Sequence, residues 1–156
     1  MVLNSQYYED HSQVEEEYEK QEAWLDQQLE SVKAKREREC SHCIVFQHIP
    51  WFLNTPDEPK QYFNIDIETR MRMLNKLRDS GVSHIFCGHY HRNAGGWYGD
   101  LELVVTSAIG QQIGGEDVSG MRLVKVTRDT VEHKYYGLEG GDFPTNIDLS
   151  DENKLP

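Results

Sequence analysis

The longest patterned stretch runs from Val14 to Arg38. It holds no glycine or proline, and Tyr18, Leu25, Leu29 and Val32 return at spacings of three, four or seven, which predicts an amphipathic helix. Glu15, Glu16 and Glu17 stand at its start and Lys33, Lys35, Arg36 and Arg38 at its end, each sign where the helix dipole favours it. His42 to Gln47 then reads as a buried strand that Pro50 closes, because proline offers no N–H for further pairing. After a polar, proline-bearing loop from Asn54 to Lys60, Ile67, Met71, Leu74 and Leu77 outline a second amphipathic helix with Gly81 as its stop. Val82 to Cys87 is another short apolar strand. Asn93 to Gly96 reads as a glycine-bearing loop, followed by three β-rich runs at Leu101–Ala108, Met121–Thr127 and Thr130–Tyr136. Arg128-Asp129 suits the hairpin turn between the last two, and Met1 to Gln6 is expected to enter as a strand. From Leu138 onward the chain is polar and acidic without periodicity, so residues 138–156 are expected to form a mobile tail and 1–137 the folded part. Strands alternating with helices and then a β meander predict an α/β fold with a mixed, partly parallel sheet and a second β layer.

This order places chemistry at two strand ends. His48 follows the first apolar strand, and Gly88-His89-Tyr90-His91 follows the second. In open α/β sheets functional groups collect beyond the carboxyl ends of the strands, so His48, His89 and His91 are candidate metal ligands. Gly88 is expected to supply backbone freedom in the turn. Imidazole suits borderline divalent ions such as zinc, iron(II) or manganese(II). Arg92 borders the cluster and is the candidate for a forked contact to a substrate phosphate.

Charge narrows the partners. The 156 residues include 27 Asp and Glu against 16 Lys and Arg, a formal charge of −11. No basic stripe is available to neutralise a nucleic-acid backbone, so nucleic acid is not an expected partner. An anionic substrate would instead be drawn by bound dications, which outweigh nearby side-chain charge. No run approaches the roughly 18 apolar residues of a membrane span, and a cytoplasmic location with no membrane association is expected. Three cysteines are read as reduced thiols. Cys40-x-x-Cys43 falls at the C-terminal end of the long helix, where the dipole opposes a thiolate, so a redox role is disfavoured. His11, His42, His84 and His133 lie outside the cluster and are read as structural or solvated. Asp142 to Glu152 lacks the oxygen spacing of a calcium loop.

Val45-Phe46-Gln47-His48-Ile49-Pro50 and Phe86-Cys87-Gly88-His89-Tyr90-His91 resemble the last two signature blocks of the calcineurin-like metallophosphoesterases: a strand ending in His-x-Pro, then one ending in Gly-His-x-His. Trp24-Leu25-x-x-x-Leu29 is similar to the helix that leads into the first block. Gly88 to Gly96 and Ser107-Ala108-Ile109-Gly110 are similar to serine/threonine-phosphatase-type members. The resemblance implies a β-sandwich flanked by helices in α/β/β/α layers, and metal-dependent hydrolysis of phosphomonoesters, phosphoproteins being the expected substrates. It further implies two divalent cations of the manganese, iron or zinc class, with His48 and His89 on one metal and His91 on the other. A hydroxide bridging the two metals would be the nucleophile.

The family's Asp-x-His, Gly-Asp-x-x-Asp and Gly-Asn-His-Asp/Glu blocks are absent from this sequence; Gly99-Asp100-Leu101-Glu102 comes in the wrong order and reads as a β-turn. No catalytic acid or base can therefore be named. The chain is expected to be the C-terminal half of a longer enzyme, the alternative being a non-catalytic metal-binding or interaction module derived from that domain.

Overall fold

The computed structural model describes residues 1–36, 42–114, 118–139 and 144. Among these, α1 (Gln6–Glu9), α2 (Glu15–Arg36), β1 (Ile44–Phe46), α3 (Ile67–Asp79), β2 (His84–Cys87), β3 (Ala94–Tyr98), β4 (Leu101–Val105), β5 (Gly120–Val126) and β6 (Val131–Gly137) follow in chain order. The first four strands form one mixed sheet in the order β1-β2-β4-β3, and β5 and β6 pair separately. β1, β2 and β4 run parallel, while β3 is antiparallel to β4. The α/β class and the mixed sheet are as expected from the alternation of elements.

One face of the sheet carries the core. Val45, Ile85 and Leu103 share a register row and are buried with Leu25 and Leu29 of α2 and Met73, Leu74 and Leu77 of α3. Burying such side chains supplies about 1.5–3 kcal/mol each, enough to hold both predicted helices on this face. Asp66 caps α3 by accepting the Thr69 N–H (3.0 Å), and Gly81, at φ +87, ends the turn after it. Across the helix pair, Glu22 receives Arg72 (2.8 Å) and Lys76 (3.3 Å).

The other face presents Phe46, Phe86 and Val104 in the next row. The β5–β6 hairpin reaches this face through Arg122, which donates to Thr106 (3.0 Å), and His133, whose ring lies 5.6 Å from Phe86. His84 and His133 both approach the Glu102 carboxylate, at 3.4 and 3.3 Å. Between sheet and hairpin lies an open groove of about 420 Å³ bordered by Phe46, Phe86, Ile109, Met121 and Val124. No helix among the described residues is long and apolar enough to cross a membrane.

Three expectations change. Met1–Gln6 is not a strand: Val2 alone bridges Phe46, and Asn4 then receives the Gln6 N–H on its side chain as the chain turns into α1. Asn93–Gly96 is not a loop, for β3 begins at Ala94. A β-carbon on Gly95 (φ +128) would stand 2.1 Å from the Leu103 carbonyl oxygen, so glycine here permits close strand approach and does not mark a turn. The three β-rich runs do not form one meander, because β4 is drawn into the parallel sheet beside β2. Gly99-Asp100 is the expected turn, joining β3 to β4. The β5–β6 turn also forms where expected, with Thr127 accepting the Asp129 and Thr130 N–H groups on its hydroxyl. The end of the long helix beyond Arg36, Cys40, and the tail apart from Leu138, Glu139 and Pro144 lie outside the described residues.

Candidate functional site

Because β1 and β2 are parallel neighbours with Phe46 opposite Phe86, the loops that follow them leave the sheet at the same end. The Gln47 N–H donates to the Phe86 carbonyl (3.0 Å) and the Gly88 N–H to the His48 carbonyl (3.1 Å), extending the ladder to the histidines themselves. The Tyr90 N–H then turns back onto the Gly88 carbonyl (2.8 Å), folding the chain sharply about His89. The left-handed residues are His89 (φ 67) and His91 (φ 55), and a β-carbon at Gly88 would meet His48 only at an ordinary 3.7 Å. The strain expected at Gly88 thus resides in the two histidines, at a cost of order 1–3 kcal/mol each. Such cost persists where surrounding contacts over-determine the geometry.

His89 Nδ1 lies 3.2 Å from His48 Nε2, the two rings meeting edge to face at 4.9 Å. Partial burial, and then the neighbouring His89 and His91 imidazoles, hold His48 below the ordinary histidine value, a shift that favours the neutral ring. His91 Nδ1 lies 2.6 Å from the Gln111 carbonyl. That bond requires the proton on Nδ1 and leaves Nε2 as the free lone pair. Arg92 donates from Nε to the Ile113 carbonyl (2.5 Å) and from Nη1 to the Tyr90 hydroxyl (2.9 Å), and its guanidinium stacks over the Tyr90 ring at 4.7 Å. Part of the fork assigned to phosphate is therefore engaged by the protein. The next residue, Asn93, accepts from Arg122 of β5 (2.7 Å) and from the Ser107 N–H (3.4 Å), tying the histidine loop to the hairpin.

Sequence reasoning missed Tyr62 and Phe63. Their rings stand 5.6 and 5.5 Å from His89, and Phe63 is also 5.1 Å from Tyr90. An aromatic pair in an otherwise polar loop was the signal that could have found them.

The chain is 48% identical over 140 residues to a human protein and 46% and 43% identical over 139 residues to mouse and zebrafish proteins, each named serine/threonine-protein phosphatase CPPED1. These relatives are calcineurin-like phosphoesterase domain-containing proteins, and the chain is similar to them over most of its own length. These matches take in 89% of the chain but only 43–44% of each relative, so the chain spans less than half the length of the phosphoesterases it matches. No family model matches it. A solved Plasmodium structure, described as GAP50, the anchor in the inner membrane complex, aligns with a TM-score of 0.67 over 90% of this chain and 45% of that one. At 14% identity the likeness is one of fold.

Calcineurin-like phosphoesterases generally use a dinuclear metal centre. Two nitrogens each about 2.05 Å from one ion are about 2.9 Å apart in octahedral and about 3.4 Å apart in tetrahedral geometry, so the 3.2 Å separation of His48 and His89 fits two ligands of a single ion. A complete centre does not fit. Among the described residues no group of three His, Cys, Asp or Glu side chains could hold a metal.

Proposed function

We propose that this chain carries the histidine share of a metal-dependent phosphoesterase centre, of the kind that hydrolyses phosphomonoesters in serine/threonine phosphoproteins. The observation that carries the reading is the meeting of His48 and His89 beyond two parallel strands, nitrogen to nitrogen at metal-sharing distance. His48 and His89 would hold one divalent ion of the manganese, iron or zinc class. His91, with Nδ1 fixed by Gln111, would offer Nε2 to a second. When bound, such ions make a hydroxide nucleophile available near neutral pH. Arg92 keeps Nη2 and half of Nη1 for a phosphoryl oxygen while the protein holds its remaining donors. Carboxylates additional to these residues are required before two ions can be bridged. The β5–β6 hairpin is proposed as the start of the second layer of a sandwich, and the cytoplasm as the place of action.

The test is metal-dependent chemistry that depends on the pair. Cobalt(II) binding by the chain, read by its visible absorption, and manganese- or zinc-dependent hydrolysis of an aryl phosphate once the carboxylate-bearing part of a relative is added, should both be lost in His89→Ala. Unchanged metal affinity in that variant would defeat the assignment. A non-catalytic metal-binding or interaction module is the second reading, favoured by the lack of a three-ligand group among the described residues. Cobalt binding by a folded chain that never hydrolyses phosphate, even with the carboxylate-bearing remainder of a relative added, would select it.

A further inference from the structure

The histidine loop is pinned at both ends, and the two pins differ in kind. At its entry the parallel pairing of β1 and β2 runs on through the Gly88 N–H, which donates to the His48 carbonyl at 3.1 Å. At its exit stands Asn93, the residue before β3, whose side-chain oxygen accepts from Arg122 Nη2 at 2.7 Å and from the Ser107 N–H at 3.4 Å. The half-buried Arg122 guanidinium is itself held, donating from Nε to the Thr106 hydroxyl (3.0 Å) and from Nη1 to His133 Nδ1 (2.9 Å). His133 Nε2 in turn faces the Glu102 carboxylate at 3.3 Å. One planar fork therefore joins the end of β4, both strands of the hairpin and the last residue of the loop. Between the pins, His89 (φ 67) and His91 (φ 55) hold a left-handed backbone that persists only where other contacts enforce it. His91 and Arg92 also reach the Gln111 and Ile113 carbonyls, but that segment belongs to no helix or strand. Asn93 is where the loop is tied to the β5–β6 hairpin.

We propose that Arg122 is a positioning residue: acting through Asn93, it fixes the exit of loop 88–93 and so sets the backbone at His89 and His91 and the bond from His91 Nδ1 to the Gln111 carbonyl. The hairpin thereby controls the shape of the candidate site. The proposal rests on the phosphoesterase reading for what the loop is used for, and on the hydrogen bonds alone for how the loop is held. Losing one bond from a charged donor shifts a local opening equilibrium by about 10-fold or more.

The experiment uses the full chain, labelled with nitrogen-15 and free of metal and phosphate. NMR reads amide exchange at Gly88 and Tyr90, and the ring nitrogen shifts of His91 at about pH 8, where histidine is ordinarily neutral. Wild type should show His91 as the Nδ1–H tautomer. Asn93→Ala, which leaves the Thr106 and His133 bonds of Arg122 in place, should speed exchange at both amides about 10-fold or more and bring in the Nε2–H tautomer. Arg122→Met should do the same, and the double variant should add nothing at these positions, since each change removes the same bond. Thr106→Val, which cuts a different arm of the guanidinium, should leave the loop as in wild type. An undisturbed loop in Asn93→Ala overturns the proposal, and that variant decides the matter even if Arg122→Met does not fold. An equal disturbance in Thr106→Val also overturns it, because Arg122 would then only clamp the hairpin. Either failure leaves the phosphoesterase reading intact, for that reading is tested by the metal binding lost in His89→Ala.

Discussion

Replacing Arg70 with methionine keeps most of the aliphatic volume but removes four hydrogen bonds from a fully buried guanidinium. These run to the Ile65 carbonyl (3.2 and 2.7 Å), the Pro56 carbonyl (3.0 Å) and the Glu58 carbonyl (2.6 Å). Hydrogen bonds from a charged donor contribute about 1.5–3 kcal/mol each, and three carbonyl oxygens would be left without their partner. The loss is offset in part because the guanidinium no longer has to be desolvated. The expected net destabilisation is about 3 kcal/mol, a fall of about 6–12 °C in thermal midpoint for a chain of this size. Arg70→Lys should be nearly as damaging, since one ammonium cannot address three carbonyls in the guanidinium plane. Urea unfolding followed by circular dichroism measures the effect, and the amides of Leu53, Asn54 and Thr55 should lose hydrogen-exchange protection in parallel. A loss below about 1 kcal/mol would refute the reasoning, because it would mean that water replaces the guanidinium at no cost.

Gly95→Ala should unpair β3 from β4, because its β-carbon would collide with the Leu103 carbonyl at 2.1 Å and φ is +128; intact exchange protection in Ala94–Tyr98 would contradict this. Stability should fall in two stages on acidification. Burial lowers the His84 value against the pull of Glu102, with His133 and His42 adding to the lowering, so the unfolded chain binds that proton more readily. Stability therefore declines below about pH 6.5 and on down through the folded value. Burial raises Glu58 and Asp66, but the N–H groups they accept outweigh it and hold both carboxyls low. Their contribution is intact above about pH 4 and is lost as pH falls through the folded values. A urea midpoint that stays level from pH 8 to pH 3 would exclude both stages. Burial pushes the Cys87 thiol far up, so iodoacetamide should reach it only at the rate of global opening, and rapid labelling of the native chain would show the strand to be accessible.

Much of the fold was legible because its signals are local. The helices at Glu15–Arg36 and Ile67–Asp79 show their apolar spacing, and the strands before His48 and Gly88 are short apolar runs closed by proline or glycine. β3 was not legible. Gly95 and Gly96 read as a loop, and only distant backbone explains them, the Leu103 carbonyl beside Gly95 and the Asn54 carbonyl beside Gly96. The same distinction holds at the site. His48, His89 and His91 could be found by their place after strands, whereas the fold brings His48 and His89 into contact and gives His91 the Gln111 carbonyl as its near partner. Tyr62 enters through a loop whose shape depends on Glu58, Asn64 and Arg70 together, a cooperation that no local pattern encodes.

His48 and His89 are 41 positions apart and meet only when β1 lies beside β2 in register. That pairing requires closing a long loop around α3, the type of contact that forms late and slowly as a chain folds. The imidazole pair is thus a time stamp: it exists only after the parallel sheet has closed. An ion that binds it selects chains that have completed this step and drains the population still searching. Metal supply during synthesis would then govern how much chain is recovered folded, independently of any turnover.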